Sequence, residues 1–193
     1  MVWHRHSCVW LSPTRDRSHH ETPRENPWMG ISGYDGTFYR RNLPHIVKEN
    51  RLLFVTFSTS DRWRLPPGAR TIALQHALHD HPTKIAMDVT VIMPDHVHLI
   101  FTLLGGHMDR AVTLASVMKP MKGISARRIN QLLHRSGPVW QDESFDHVIR
   151  STERSRAKFE YVCNNPVGAG LAASPDEYPW LWRSWVEGRC YKW

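Results

Sequence analysis

Apolar positions along the chain fall into short runs with two different periods. Residues 51–58 (RLLFVTFS) are aromatic and β-branched and read as a buried strand. Pro66, Pro67 and Gly68 punctuate a turn. Residues 69–81 (ARTIALQHALHDH) place Ile72, Leu74 and Leu78 at near-helical spacing. Residues 84–93 (KIAMDVTVIM) form a second strand and 96–103 (HVHLIFTL) a third. Only Pro94-Asp95 joins these two, a link that permits a hairpin and not a crossover, so they run antiparallel. Residues 112–134 carry Leu114, Val117, Met118, Met121, Ile124, Ile129, Leu132 and Leu133 in an amphipathic helical pattern. Pro120 and Gly123 are expected to kink or divide that helix. An irregular strand is read over 138–149. A helix follows over 152–165, with Ser151 or Thr152 as N-cap and its end at Asn165-Pro166.

The order β-α-β-β-α-β-α fits an α+β fold, an antiparallel sheet with packed helices resembling the ferredoxin-like split. Residues 1–37, rich in His, Arg, Ser, Pro and Gly, show no periodic apolar pattern and read as a flexible or disordered tail. Met29 is an alternative start to Met1. The folded domain is expected over 38–185 and a short tail over 186–193.

A chain of 193 residues with 41% hydrophobic content suits one domain with a sizeable core. No apolar run approaches the roughly 18–20 residues that span a bilayer, and the first residues lack the apolar core of a secretory signal. A cytoplasmic location is expected. Cys8, Cys163 and Cys190 are odd in number and scattered, which argues against a disulfide framework, and no CxxC pair offers a thiolate zinc site. The net charge is +7. It fits either a solvated basic surface or a polyanionic partner, of which nucleic acid is the commonest.

Two local features carry chemistry. In His96-Val97-His98 the alternation of a strand puts both imidazoles on one face, a natural pair of metal ligands. Two polar residues on a solvated sheet face give the same pattern. Tyr161 and Asn165 stand one helical turn apart and point the same way. An amide oxygen suits a hard ion such as Mg2+ or Mn2+; equally, a helix tyrosine is usually a packing residue and Asn165 a helix-end residue. Asp95, next to the histidines, either shapes the Pro94-Asp95 turn, orients an imidazole or accepts a proton.

The blocks MPDHVHLIF, KGISARRIN, VWQDESFDHVIR and FEYVCNNPVGAGL, in this order and spacing, resemble the REP-associated tyrosine transposases. These are single-tyrosine members of the HUH (His-hydrophobic-His) endonucleases. The resemblance covers roughly residues 38–185. It implies the HUH endonuclease fold, His96 and His98 as metal ligands, and Tyr161, preceding Asn165-Pro166-Val167, as the nucleophile. Asn165 matches a third ligand of related enzymes. It further implies a transposase that cuts and rejoins single-stranded DNA at hairpin-forming palindromic repeats. The intermediate would be a covalent 5′-phosphotyrosine, with Mg2+ or Mn2+ as cofactor. A covalent intermediate splits one difficult step into two. The phenol must lose its proton during attack, and no residue is identified as the acceptor.

Single-stranded DNA requires a basic path and flat groups for stacking. Arg40, Arg41, Lys119, Lys122, Arg127, Arg128 and Arg150 offer the charge, with Arg40 and Arg41 expected near the hairpin foot. Tyr39, Trp140, Phe145 and Trp180-Leu181-Trp182 offer aromatic surface, although core packing accounts for most of these equally well. The resemblance leaves oligomeric state open, with a monomer expected and a dimer as the alternative. A nucleoid-associated location follows from the DNA partner. Two rival readings remain, a non-catalytic or domesticated hairpin DNA-binding protein and a zinc hydrolase using the His pair to activate water.

Overall fold

The computed structural model describes residues 51–105, 112–150 and 152–186. The expected tails and the boundary at residue 38 lie wholly or mostly outside them. The elements are β1 (Leu52–Ser58), α1 (Pro67–Leu78), β2 (Ile85–Ile92), β3 (His96–Leu103), α2 (Leu114–Leu132), β4 (Phe145–Val148), α3 (Thr152–Gly168) and β5 (Leu181–Arg183). The sheet order is β4-β1-β3-β2-β5, with every neighbouring pair antiparallel. β3 is inserted between β1 and β2, which is the ferredoxin-like split expected from the order of elements.

Strand alternation sorts the core into two layers. Leu53, Val55 and Phe57 of β1 and Val97, Leu99, Phe101 and Leu103 of β3 pack with α1 and α2. Phe54 and Ile100 point the other way and pack with Val162 of α3. A bulge at Asp88 breaks the alternation of β2. It turns Ile85 and Met87 toward α1 and α2, and Val89 and Val91 toward α3. Both faces are therefore covered, which is why β1 and β3 read as continuous apolar runs. Leu53, Val55, Leu99 and Phe101 are fully buried, and each contributes about 1.5–3 kcal/mol of transfer free energy.

Several boundaries differ from the sequence pattern. α1 begins two residues early because Pro67 sits in the first turn, where its missing N–H costs nothing. α2 runs undivided through Pro120 and Gly123. Its start is fixed by a capping box between Thr113 and Ser116, and Leu114, Val117, Met118 and Met121 bury its inner face. That packing outweighs the local penalty of proline. Only Phe145–Val148 of the 138–149 stretch is strand. Val139 and Trp140 instead plug the core, Trp140 donating its indole N–H to Ser125 Oγ at 3.0 Å.

α3 does not stop at Asn165-Pro166; it continues to Gly168. The signal that ends it is Gly170, at φ +67°. Gly170 N donates to Val167 O at 3.0 Å and Leu171 N to Pro166 O at 2.8 Å. This is the pairing of a Schellman motif, with glycine in the left-handed position. The three-residue strand β5 has no counterpart in the sequence reading. Leu181 is buried against the α3 layer, and Trp180 and Trp182 pack on the core. No described helix is long and apolar enough to cross a membrane.

Candidate active site

The register of β1 against β3 places Ser58 opposite His96 and Thr56 opposite His98. Val97 is buried on the α1/α2 side, so both imidazoles lie on the α3 side. Their ring centroids are 4.7 Å apart. The solvated-face alternative does not hold for His98, which is 4% exposed. Its ring stacks on Phe54 at 5.5 Å, and its Nδ1 lies 2.7 Å from Thr56 Oγ1. Burial, reinforced by the positive charges of His96 and Lys158 against the opposing Asp95, lowers its pKa to about 3. His98 is therefore neutral at any physiological pH, the form that binds a metal.

His96 is oriented by its neighbour. Asp95 Oδ1 lies 2.7 Å from His96 Nδ1. Burial pushes the Asp95 carboxyl up, but the His96 hydrogen bond and the charges of His96 and Arg62 outweigh it and hold it below the usual range. An ionised carboxylate only accepts, so Nδ1 carries the proton. In the neutral ring, the Nε2 lone pair then points away from Asp95. Of the readings open for Asp95, the geometry fits the orienting one.

α3 brings the second pair of residues to the same place. Tyr161 lies with its ring 5.3 Å from that of His98 and 6.4 Å from Phe54. It is 40% exposed, so its hydroxyl is accessible to a large substrate. One turn on, Asn165 Nδ2 is 3.3 Å from His98 Nε2. With the amide in this orientation His98 Nε2 accepts, and Nδ1–H is then the donor to Thr56 Oγ1. A half-turn of the amide would put Oδ1 beside Nε2 instead. Among the described residues no three His, Cys, Asp or Glu side chains converge on one point. The groups that could hold a divalent ion here are His96 Nε2, His98 Nε2 and, with its amide turned, the Asn165 oxygen. Two neutral imidazoles and one amide would leave such an ion its full charge.

Two cations flank this cluster without having been singled out from the sequence. Lys158 Nζ lies 4.6 Å above the Phe54 ring and 5.6 Å from that of Tyr161. Burial lowers its pKa. Its position three residues before Tyr161, on the same helical face, was a usable signal. Arg62 Nη1 lies 3.5 Å from Asp95 Oδ2. That pairing, like Thr56 with His98, depends on strand register and turn geometry and leaves no mark in the local sequence.

The proposed basic path is scattered. Lys119, Arg127 and Arg128 are exposed on α2, in the layer across the sheet from the histidines. Lys122 is committed to the loop before β4, donating to Gln141 O at 2.6 Å, Asp142 O at 3.0 Å and Ser144 Oγ at 3.3 Å. Arg150 is exposed between β4 and α3. Arg40, Arg41 and Tyr39 lie outside the described residues. Trp140 and Trp180 are packing residues; the Arg70 guanidinium sits 3.7 Å over Trp180. Phe145 is exposed. A concavity of 780 Å3 lies between α1 and α2, lined by His76, Lys84, Met121 and Arg128, away from the His-Tyr cluster. Within the cluster Tyr161 is exposed, whereas His98 and Phe54 are buried beneath it.

A ferredoxin-like sheet with an HxH pair on its third strand and a tyrosine on the helix above it defines a HUH-type single-tyrosine protein. Residues 70–165 match the family model described as "Transposase IS200 like". The chain is 29% identical over 112 residues to the REP-associated tyrosine transposase of Escherichia coli K12, a match covering 55% of this chain and 60% of that one. It is 27% identical over 101 residues to an uncharacterized protein of Haemophilus influenzae, covering 44% and 56%. The chain thus spans less than two thirds of either relative. Its fold is also that of a solved REP-associated tyrosine transposase bound to a REP hairpin. There the TM-score is 0.55 at 22% identity, over 75% of this chain and 81% of the other.

Proposed function

We propose that the protein cuts and rejoins single-stranded DNA at hairpin-forming palindromic repeats. Tyr161 is the nucleophile, and Mg2+ or Mn2+ is held by His96, His98 and Asn165. The observation that carries this reading is the convergence of Tyr161 and Asn165 on His98, the latter pair 67 positions apart in sequence. The match to a transposase family model and the hairpin held by the REP-associated neighbour support the choice of substrate.

The chain's own residues divide the work. Tyr161 Oη attacks the scissile phosphorus, the bond to the 3′ oxygen breaks, and the 5′ phosphate becomes linked to tyrosine. The 3′-hydroxyl that leaves takes up a proton. Attack by that hydroxyl on the phosphotyrosine reverses the step and reseals the strand without ATP, because the ester bond is conserved. A divalent ion at the His-Asn site would neutralise charge on the non-bridging oxygens and orient the phosphate. Asp95 keeps His96 in the ligating tautomer, and Phe54 fixes the plane of His98. Lys158, beside the tyrosine, adds positive charge where phosphate and phenolate charge accumulate.

On this reading the protein acts in the cytoplasm at the nucleoid, as a monomer, with a dimer as the alternative. The test is incubation with labelled hairpin DNA and Mg2+ or Mn2+, followed by denaturing electrophoresis. A metal-dependent protein–DNA adduct is expected, abolished by EDTA. Binding without an adduct would identify a non-catalytic hairpin binder. Cutting without an adduct would identify a hydrolase that activates water.

A further inference from the structure

The turn leaving β1 holds two consecutive non-glycine residues in the left-handed region, Asp61 (φ 51°, ψ 27°) and Arg62 (φ 54°). Residues with a Cβ adopt this conformation uncommonly, aspartate more readily than arginine, and such residues cluster at functional sites. Here the surroundings are the Pro94-Asp95 turn. Thr59 N and Thr59 Oγ1 both donate to Asp95 O, at 2.9 and 3.1 Å, and Leu65 N donates to Pro94 O at 2.6 Å. The segment is tied at both ends to the residues just before His96, and the strained pair lies between the ties.

The consequence is the placement of Arg62. Its Nη1 lies 3.5 Å from Asp95 Oδ2, while Asp95 Oδ1 holds His96. The Arg62 side chain is 63% exposed. An exposed ion pair of that length contributes little to stability, so stability alone does not account for a strained backbone that delivers it. A guanidinium carries five N–H donors in a planar fork that matches phosphate oxygens. The contact with Asp95 leaves most of them available. Lys158 stands at the Tyr161 end of the cluster and Arg62 at the His96 end. A phosphodiester chain laid across the site would meet one cation on each side of the scissile position.

We infer that Arg62 is a phosphate-binding residue. It grips an internucleotide phosphate beside the scissile one, and Asp95 aims the guanidinium until DNA arrives. This rests on the reading of Tyr161 and the histidine pair given above. A charged fork on phosphate is bidentate, which gives register as well as affinity.

The test uses the full chain and a DNA hairpin with single-stranded extensions, with binding followed by fluorescence anisotropy over a range of salt. Arg62→Gln should bind roughly tenfold more weakly. Its slope of log K against log[salt] should shrink by about 0.7, the loss of one single-strand phosphate contact. Arg62→Lys should keep the slope, and it carries the comparison if Arg62→Gln fails to fold. In a walk of single methylphosphonate substitutions, wild type should weaken sharply at one position and Arg62→Gln should be insensitive there alone. Wild-type slope and an unchanged methylphosphonate profile in Arg62→Gln would overturn the inference. Because these readouts need no cutting, absence of a Tyr161 adduct would refute the catalytic reading and leave the assignment of Arg62 to be judged separately.

Discussion

Asn165 Nδ2 lies 3.3 Å from His98 Nε2 although 67 residues separate them. The contact puts the last polar residue of the tyrosine's helical face on the one imidazole nitrogen that Thr56 leaves free. If Asn165 completes a metal site, Asn165→Ala should raise the Mg2+ or Mn2+ concentration needed for half-maximal adduct by about tenfold or more, by analogy with the loss of other ligand-shell groups. DNA binding without metal should be unaffected. A metal titration of adduct formation checks this, and an unchanged midpoint would remove Asn165 from the ligand set.

Asp95 should matter through His96. Asp95→Ala is expected to lower metal affinity roughly 10–100-fold, the usual cost of losing a carboxylate that orients a ligating histidine. Asp95→Asn keeps a polar side chain of similar size but loses the anionic acceptor, and should fall between Asp95→Ala and wild type. Metal binding measured by calorimetry separates this from any effect on catalysis.

His98 makes stability depend on pH. The folded protein takes up its proton only near pH 3, whereas an ordinary histidine does so at 6.5. Between those values the unfolded chain binds the extra proton, so stability rises with pH across this window. The contribution is complete above about 6.5 and is lost progressively on acidification toward 3. The slope from this residue is at most about 1.4 kcal/mol per pH unit. Urea unfolding of metal-free wild type and His98→Gln between pH 4 and 7 should show the shallower dependence in the variant. Parallel curves would contradict the buried neutral state.

Gly170 rather than Pro166 ends α3. Gly170→Ala forces a Cβ into a left-handed φ of +67° and should cost about 1 kcal/mol. No neighbouring atom lies within 4 Å of the added Cβ, so the loss is one of backbone strain. Chemical denaturation measures it directly, and a stability equal to wild type would refute the Schellman assignment.

The parts of the fold written in short-range pattern were readable. HVHLIFTL alternates cleanly enough to place both histidines on one face, and the Pro94-Asp95 link dictates a hairpin. Elements decided by tertiary contact were not. Three residues of β5 carry no periodicity of their own and pair only because β2 offers an edge. Pro120 looked like a helix breaker because the packing of Val117 and Met121 that holds α2 together is not local. The same holds for the site. Tyr161 and Asn165 share a face by helical spacing, so their pairing was legible. Thr56 beneath His98 and Arg62 beside Asp95 required the β1/β3 register. The positive charges on α2 looked like part of a DNA path, yet the sheet separates them from the histidines, and Lys122 is spent on carbonyls before β4.

The central claim is that Tyr161 forms the bond to DNA. Its most direct test is to trap the adduct with labelled hairpin DNA and divalent metal, digest it, and locate the nucleotide by mass spectrometry. A 5′-phosphate ester on the peptide containing Tyr161, absent from Tyr161→Phe protein that still binds the hairpin, is the predicted result. An adduct on another residue, or one formed at wild-type yield by Tyr161→Phe, would contradict it.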